Sequence, residues 1–345
     1  MSKYRATISF GPNFAYALCA KRLRDADLEG LDLSAWRVAG CGAEPINAAH
    51  LAAFVERFTP VGFDPKSLLP CYGMAEATLA VSFAPLGSGV RTETVDLDRL
   101  AREGVAEPPA AGRAQLTIVN CGSTFSGHQV AAFETDDATS EHPLPDRRLG
   151  ELRVRGPSVT RGYFCAPDLT RSAFAGDWLR TGDLGYLAEG DVFVCGRVKE
   201  LIIVRGRNYF PQDLERHASR VDGVRSGNVV AFGTHCIVDD AERVVMALET
   251  KLADPEQRRQ LATNVHRAVI EGTGVALDEI LVLDAGVLPK TSSGKLQRAH
   301  TRELFERGVL ASRRSVRVKD PLGTARVLAQ SQIAYARRAL FGSRR

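Results

Sequence analysis

Apolar positions in the first 85 residues switch between two spacings. Residues 6–10, 36–39 and 68–71 are short apolar runs that read as strands, and 13–22 and 47–58 repeat their apolar side chains with the period of a helix. Strand and helix therefore alternate, which is the signature of α/β layers. From 86 to 150 the pattern changes: Gly, Pro, Asp and Thr rise, and short alternating stretches at 92–95, 116–119 and 129–133 predict a β-rich region with long loops. A polar surface loop is expected over 135–148, then strands at 151–154, on both sides of Thr181-Gly182-Asp183, and at 191–195 and 200–204. The short polar link Gly196-Arg197-Val198-Lys199 between apolar strands reads as a boundary. Beyond it, helices at 212–221 and 255–272 and strands at 228–232, 244–250 and 279–283 make a compact α+β module, followed by a Pro/Thr/Ser/Gly loop, 288–295, and a helix over 296–307. The charge pattern alone marks the end: after about Arg313 the chain is rich in arginine, which reads as a basic tail whose 327–341 stretch has the spacing of a basic amphipathic helix.

Composition narrows the class without naming a function. The 345 residues are 44% apolar and 25% charged, as in ordinary globular proteins, and a net charge of +4 gives no reason to expect nucleic acid as a partner. Seven scattered cysteines with no Cys-x-x-Cys pair argue against a disulfide framework and a structural zinc site, and for a reducing compartment. No apolar run reaches the roughly 18 residues of a membrane span. A cytoplasmic protein is the expectation.

Four short stretches carry candidate chemistry. Gly40-Cys41-Gly42-Ala43-Glu44-Pro45 joins a strand to a helix, where α/β folds place ligands, but Pro45 stands where a dinucleotide fingerprint needs its third glycine. Tyr72-Gly73-Met74-Ala75-Glu76 follows a buried strand. Tyr72 can stack on a planar base, and Glu76 can hold a magnesium ion that bridges phosphates; as a plain helix start with a surface carboxylate it would do neither. Asp183, in what reads as a tight Thr-Gly-Asp turn, can accept two hydrogen bonds from a ribose diol, or is simply a hairpin aspartate. The loop Pro289-Lys290-Thr291-Ser292-Ser293-Gly294-Lys295 offers a compact cation on a flexible stem to an anion. It is not a Walker loop, because Pro289 replaces the first glycine and Leu296 follows the lysine, and its Ser-x-x-Lys lacks the partner motifs of serine acylases.

Taken in order, Tyr72-Gly73-Met74-Ala75-Glu76, Arg180-Thr181-Gly182-Asp183, Gly196-Arg197-Val198-Lys199 and Ser293-Gly294-Lys295 resemble the later core motifs of the adenylate-forming superfamily. Within it, residues 11–16, 71–79 and 202–213 resemble the fatty acyl-AMP ligases. The resemblance covers about residues 3–312 and implies an α/β fold class: the C-terminal portion of the large adenylate-forming domain (α/β layers at 1–85 plus a β-rich subdomain at 86–196), a small α+β lid domain at 197–312, and a basic tail at 313–345. It implies ATP and magnesium as cofactors, activation of a fatty acid to an acyl-adenylate, and acyl transfer to an acyl carrier protein, with coenzyme A as the alternative acceptor. Gly42, Ala43, Glu44, Tyr72 and Gly73 would border the nucleotide, with Tyr72 on the adenine. Glu76 would bind the metal, Asp183 and Arg197 would attend the ribose, Lys199 would be the hinge, and Lys295 the catalytic lysine. The superfamily's Ser/Thr/Gly-rich phosphate loop ending in Pro-Lys-Gly has no counterpart here. The chain is therefore expected to correspond to the later part of such an enzyme, with a large domain less stable alone than the small one, and a non-catalytic remnant that binds an acyl-nucleotide or a carrier protein is the rival reading.

Overall fold

The computed structural model describes residues 1–319 apart from 136, 138, 141, 205, 206, 237–240, 292, 293, 312 and 313. The chain divides into two compact units, Met1–Val198 and Lys199–Arg345.

The first unit starts with β1 (Ile8–Pro12), α1 (Asn13–Arg22), the short α2 (Asp25–Leu28), β2 (Val38–Gly42), α3 (Ala48–Phe58) and β3 (Leu68–Tyr72). β1, β2 and β3 are parallel neighbours, in register at Ile8↔Val38 and Ala39↔Leu68. The sheet continues through antiparallel β4 (Ser82–Phe83) and, beyond the hairpin formed by β5 (Thr92–Asp96) and β6 (Gln115–Val119), β7 (Ser123–Thr124). Ala39 and Cys41 pack with Tyr16, Leu51, Phe54 and Phe58 of α1 and α3 in one buried cluster. Strand alternation sends Ile8 and Phe10 to the opposite face, where they stay 55% and 59% exposed. The β-rich part adds α4 (Leu97–Glu103), β8 (Gln129–Phe133), β9 (Gly150–Arg155), α5 (Pro167–Ala173), β10 (Phe174–Ala175), β11 (Trp178–Ala188) and β12 (Asp191–Arg197). Its antiparallel sheet runs β10-β11-β9-β8, with β12 on β11.

Three expectations change here. Asp183 does not sit in a turn between two strands: β11 runs unbroken through it, and a register shift between Arg180 and Leu184, with Gly182 at φ 71°, supplies the bend that looks like a turn in sequence. Gly196 and Arg197 belong to β12 rather than to a link, and the connection is the 3-10 turn Val198–Glu200, so that the next strand begins at Ile202. Region 86–150 also contains a helix, α4, capped by the Asp96 carboxylate on the Arg99 amide at 3.0 Å and closed by Gly104 at φ 64°.

The second unit comprises β13 (Ile202–Val204), β14 (Arg207–Tyr209), α6 (Pro211–Ala218), β15 (Val224–Cys236), β16 (Ala241–Thr250), α7 (Pro255–Thr273), β17 (Glu279–Asp284), α8 (Arg298–Glu306) and β18 (Val316–Lys319). Its main sheet is ordered β15-β16-β17-β18. One face packs on α6 and α7 through Val229, Met246, Leu248, Leu261, Val265 and Ile280. The other carries Phe232, Leu281 and Leu283 against Leu304 and Phe305 of α8. β18 corrects the reading of a tail from 313: Val316 and Val318 pack on the core, and Arg317 pairs with Glu279 on the neighbouring strand. The helix expected over 327–341 lies outside the described residues.

Candidate functional site: the ends of the parallel strands

β2 and β3 lie side by side and point the same way, so the segments after Gly42 and after Tyr72 emerge at one edge of the sheet. Open α/β sheets bind ligands in the crevice outside such carboxyl ends. Both segments are shaped by glycine. A Cβ on Gly42 would stand 2.7 Å from the Cys71 carbonyl oxygen, and one on Gly73 would stand 1.9 Å from that of Leu79. Gly73→Ala is therefore expected to cost about 1–3 kcal/mol in the first unit, because backbone rather than a mobile side chain must give way; thermal melting of the variant checks this.

After Gly42, Ala43 takes φ 65°, a left-handed conformation that costs a non-glycine residue about 1–2 kcal/mol. It turns Glu44 back so that its carboxylate accepts the Phe14 amide at 2.7 Å, at the electropositive start of α1. After Tyr72, the chain makes a 3-10 turn at Ala75–Ala77 and then a second strained residue, Thr78, at φ 68°. The Thr78 hydroxyl donates to the Ser158 carbonyl at 3.0 Å, and the Thr160 amide donates to the Glu76 carbonyl at 2.7 Å. These bonds pin the loop to the segment between β9 and α5. The Glu76 carboxylate is fixed by the Tyr163 hydroxyl at 2.9 Å, and that hydrogen bond raises the Tyr163 pKa.

The β-rich sheet brings Asp183 to the same place. The Tyr72 hydroxyl donates to Asp183 Oδ2 at 2.7 Å, and Arg197 Nε donates to Oδ1 at 3.0 Å. The Asp183 amide is held by the Thr181 hydroxyl at 3.0 Å, which itself donates to the Leu152 carbonyl at 2.6 Å. Tyr72 and Asp183 are 7% and 8% exposed, whereas the Arg197 side chain is 64% exposed. Burial first, and the Asp183 carboxylate second, hold the Tyr72 phenol well above the usual tyrosine pKa, so it stays a donor. Gly42, Ala43, Glu44, Tyr72, Gly73, Glu76, Asp183 and Arg197 thus all belong to the first unit.

The second unit holds Lys199, exposed in the turn Val198–Glu200, and Lys295. The lysine loop is a tight hairpin. Lys290 bridges Leu296, the Thr291 amide donates to the Lys295 carbonyl at 2.8 Å, the Gln297 amide donates to the Pro289 carbonyl at 3.0 Å, and Gly294 takes φ 89°. Ser292 and Ser293 lie outside the described residues. Among the described residues no three His, Cys, Asp or Glu side chains form a metal cage, and no helix is long and apolar enough to cross a membrane.

Two family models match the chain: "AMP-binding enzyme" over residues 1–164, and the AMP domain of the Disco-interacting protein 2-like family over 199–314. Over most of its length the chain is similar to AMP-binding, adenylate-forming enzymes. Several of its relatives are named as fatty-acid ligases. It is 39% identical over 311 residues to a Caulobacter vibrioides protein provisionally named as an acyl-CoA synthetase, covering 89% of this chain and 53% of that one. It is 35% identical to the medium-chain-fatty-acid–[acyl-carrier-protein] ligase JamA of Moorena producens, covering 90% of this chain and 54% of JamA. Among solved structures, one from a study of fatty acyl-adenylate ligases of E. coli and L. pneumophila superposes with a TM-score of 0.82 at 40% identity, covering 89% of this chain and 54% of that one. The chain spans about half the length of the curated relatives it matches. The superposition gives the α/β fold its class, part of an adenylate-forming domain.

Sequence reasoning named the residues on each strand end but missed what holds them. Tyr163 sits in Arg161-Gly162-Tyr163-Phe164, a stretch with no motif to flag it, yet it anchors Glu76 across 87 residues. Tyr163→Phe is expected to leave melting within about 0.5 kcal/mol, because the hydroxyl is at the surface; thermal melting checks it.

Proposed function

We propose that this chain works in the ATP-dependent activation of a fatty acid to its acyl-adenylate, followed by transfer of the acyl group to the phosphopantetheine thiol of an acyl carrier protein. The observation that carries the reading is the meeting of Tyr72, Asp183 and Arg197 in one hydrogen-bonded group beside the carboxyl ends of β2 and β3. Buried Asp183 presents a fixed carboxylate that suits a ribose diol, and Arg197 beside it neutralises the charge that the site would otherwise desolvate. The Gly42–Glu44 turn and the Tyr72 ring border the adenine in this reading, with Gly73 permitting the close backbone approach. Glu76 fits a magnesium ion that takes most of its ligands from phosphate and water, since one oriented carboxylate is the usual protein share. Bound there, the ion would supply charge neutralisation on the phosphates.

Lys295 is the proposed catalytic lysine, and Lys199 the hinge that lets the second unit bring it up for adenylation and withdraw it for acyl transfer. Attack of the fatty carboxylate on the α-phosphorus spreads negative charge over a pentacoordinate centre, which an ammonium stabilises better than it stabilises ATP. Pyrophosphate leaves, and the thiol then displaces AMP from the acyl carbon. The JamA relative supports the carrier protein as acceptor, and the Caulobacter relative favours coenzyme A as the second reading.

ATP–pyrophosphate exchange across a panel of fatty acids tests the first step. Exchange that depends on a fatty acid supports the reading, whereas absent exchange with retained adenylate binding identifies a binding remnant. Product formation with carrier protein against coenzyme A separates the acceptors.

A further inference from the structure

Arg298 opens α8, three residues after Lys295, and its guanidinium points back into the unit. Nε donates to the Ala231 carbonyl at 3.0 Å, one terminal nitrogen reaches both Glu215 oxygens at 2.8 and 3.0 Å, and the other pairs with Glu200. Glu215 Oε1 also accepts the Ala231 amide at 2.8 Å. The three side chains are 15%, 16% and 24% exposed, so this is an enclosed network in which each arm of the fork has its own acceptor. Glu200 is the last residue of the turn that contains Lys199. The base of the lysine loop closes one residue before Arg298, through the Gln297 amide on the Pro289 carbonyl at 3.0 Å.

We propose that Arg298 is a positioning residue that ties the Lys199 turn to the Lys295 loop, so that a rotation at the turn carries the lysine with it as one body. The proposal rests on Lys199 as hinge and Lys295 as catalytic lysine. A lone hinge would leave the loop free to sample orientations, and the lysine would arrive at the phosphate in many of them. The fork removes that freedom because its planar donors fix angle as well as distance. Lysine in its place keeps the charge but is a point donor, unable to serve Ala231, Glu215 and Glu200 together.

Hydrogen exchange read by mass spectrometry on the full chain tests this with Arg298→Lys and Glu200→Ala. Each variant is expected to speed exchange about tenfold in peptides covering 198–204 and 288–297 while α7 and β17 keep their protection. A rise throughout the second unit shows a merely stabilising arginine and overturns the proposal, as does a rise confined to one of the two segments or no rise at all. Should Arg298→Lys fail to fold, Glu200→Ala, which severs only the arm to the turn, carries the test alone. In pyrophosphate exchange Arg298→Lys is expected to lower kcat about tenfold with KM for ATP unchanged, and a change in KM instead contradicts positioning. Lys295→Ala leaves the exchange pattern of both segments as it is, so loss of the catalytic reading and loss of the clamp are told apart.

Discussion

Lys295→Ala is expected to lower fatty-acid-dependent ATP–pyrophosphate exchange by about 10²–10³-fold while the second unit keeps its melting temperature. The size reflects what the side chain is asked to do. A fixed donor aimed at charge that develops only in the transition state accounts for about 2.7–4 kcal/mol in comparable sites. The stability expectation comes from the loop. Its closure is made by main-chain hydrogen bonds, Thr291 to Lys295 and Gln297 to Pro289, and by Gly294 in the left-handed region, none of which needs the ammonium. Lys295→Arg keeps the charge, but its wide planar head does not fit where a compact one does, so it should recover little. Activity of Lys295→Ala within tenfold of the parent would remove the lysine from the chemistry.

The second large effect is at Asp183. Asp183→Ala is expected to weaken binding of an acyl-adenylate by at least about 100-fold, since two hydrogen bonds to a charged acceptor at about 1.5–3 kcal/mol each amount to about 3 kcal/mol at the low end. It should also destabilise the first unit by about 1–3 kcal/mol, because it leaves the Tyr72 hydroxyl buried without its acceptor. Arg197 adds little to that cost, as its side chain is mostly exposed and returns to water. The two losses separate in a double variant. Tyr72→Phe together with Asp183→Ala removes the orphaned hydroxyl and should recover most of the stability but none of the binding. Calorimetric titration and thermal melting of the two variants read both quantities, and parallel recovery of stability and binding would show that Asp183 acts only through the fold.

Much of the fold was legible because local chemistry agreed with it. α1 and α3 show helical spacing, β3 is an apolar run, and glycine stands at the end of β2 and just after β3, where the backbone must pass close to a neighbour. The failures have physical causes. β11 looked like two strands because Gly182 and a bulge bend it without ending it. α4 is seven residues long and mostly polar, so its helical period had no room to show. β18 hid behind its charges: Val-Arg-Val-Lys alternates as a half-buried strand should, but an arginine-rich context made it read as tail. At the site, the resemblance supplied roles for single residues, whereas their partners came only from the structure. Tyr72 meets Asp183 across 111 residues, and Arg298 meets Glu200 across 98. No period or spacing in a sequence encodes such pairs; Tyr72 and Asp183 lie on different sheets, and Arg298 and Glu200 on a helix and a turn, so the pairs arise from how whole elements pack.

Calorimetric titration of the full chain with a non-hydrolysable fatty acyl-adenylate analogue, beside Asp183→Ala, reads the adenylate site without relying on turnover. Binding of one analogue per chain is expected, weakened by at least about 100-fold in the variant. No binding by the parent chain, or equal binding by both proteins, would contradict an adenylate site built on Tyr72, Asp183 and Arg197.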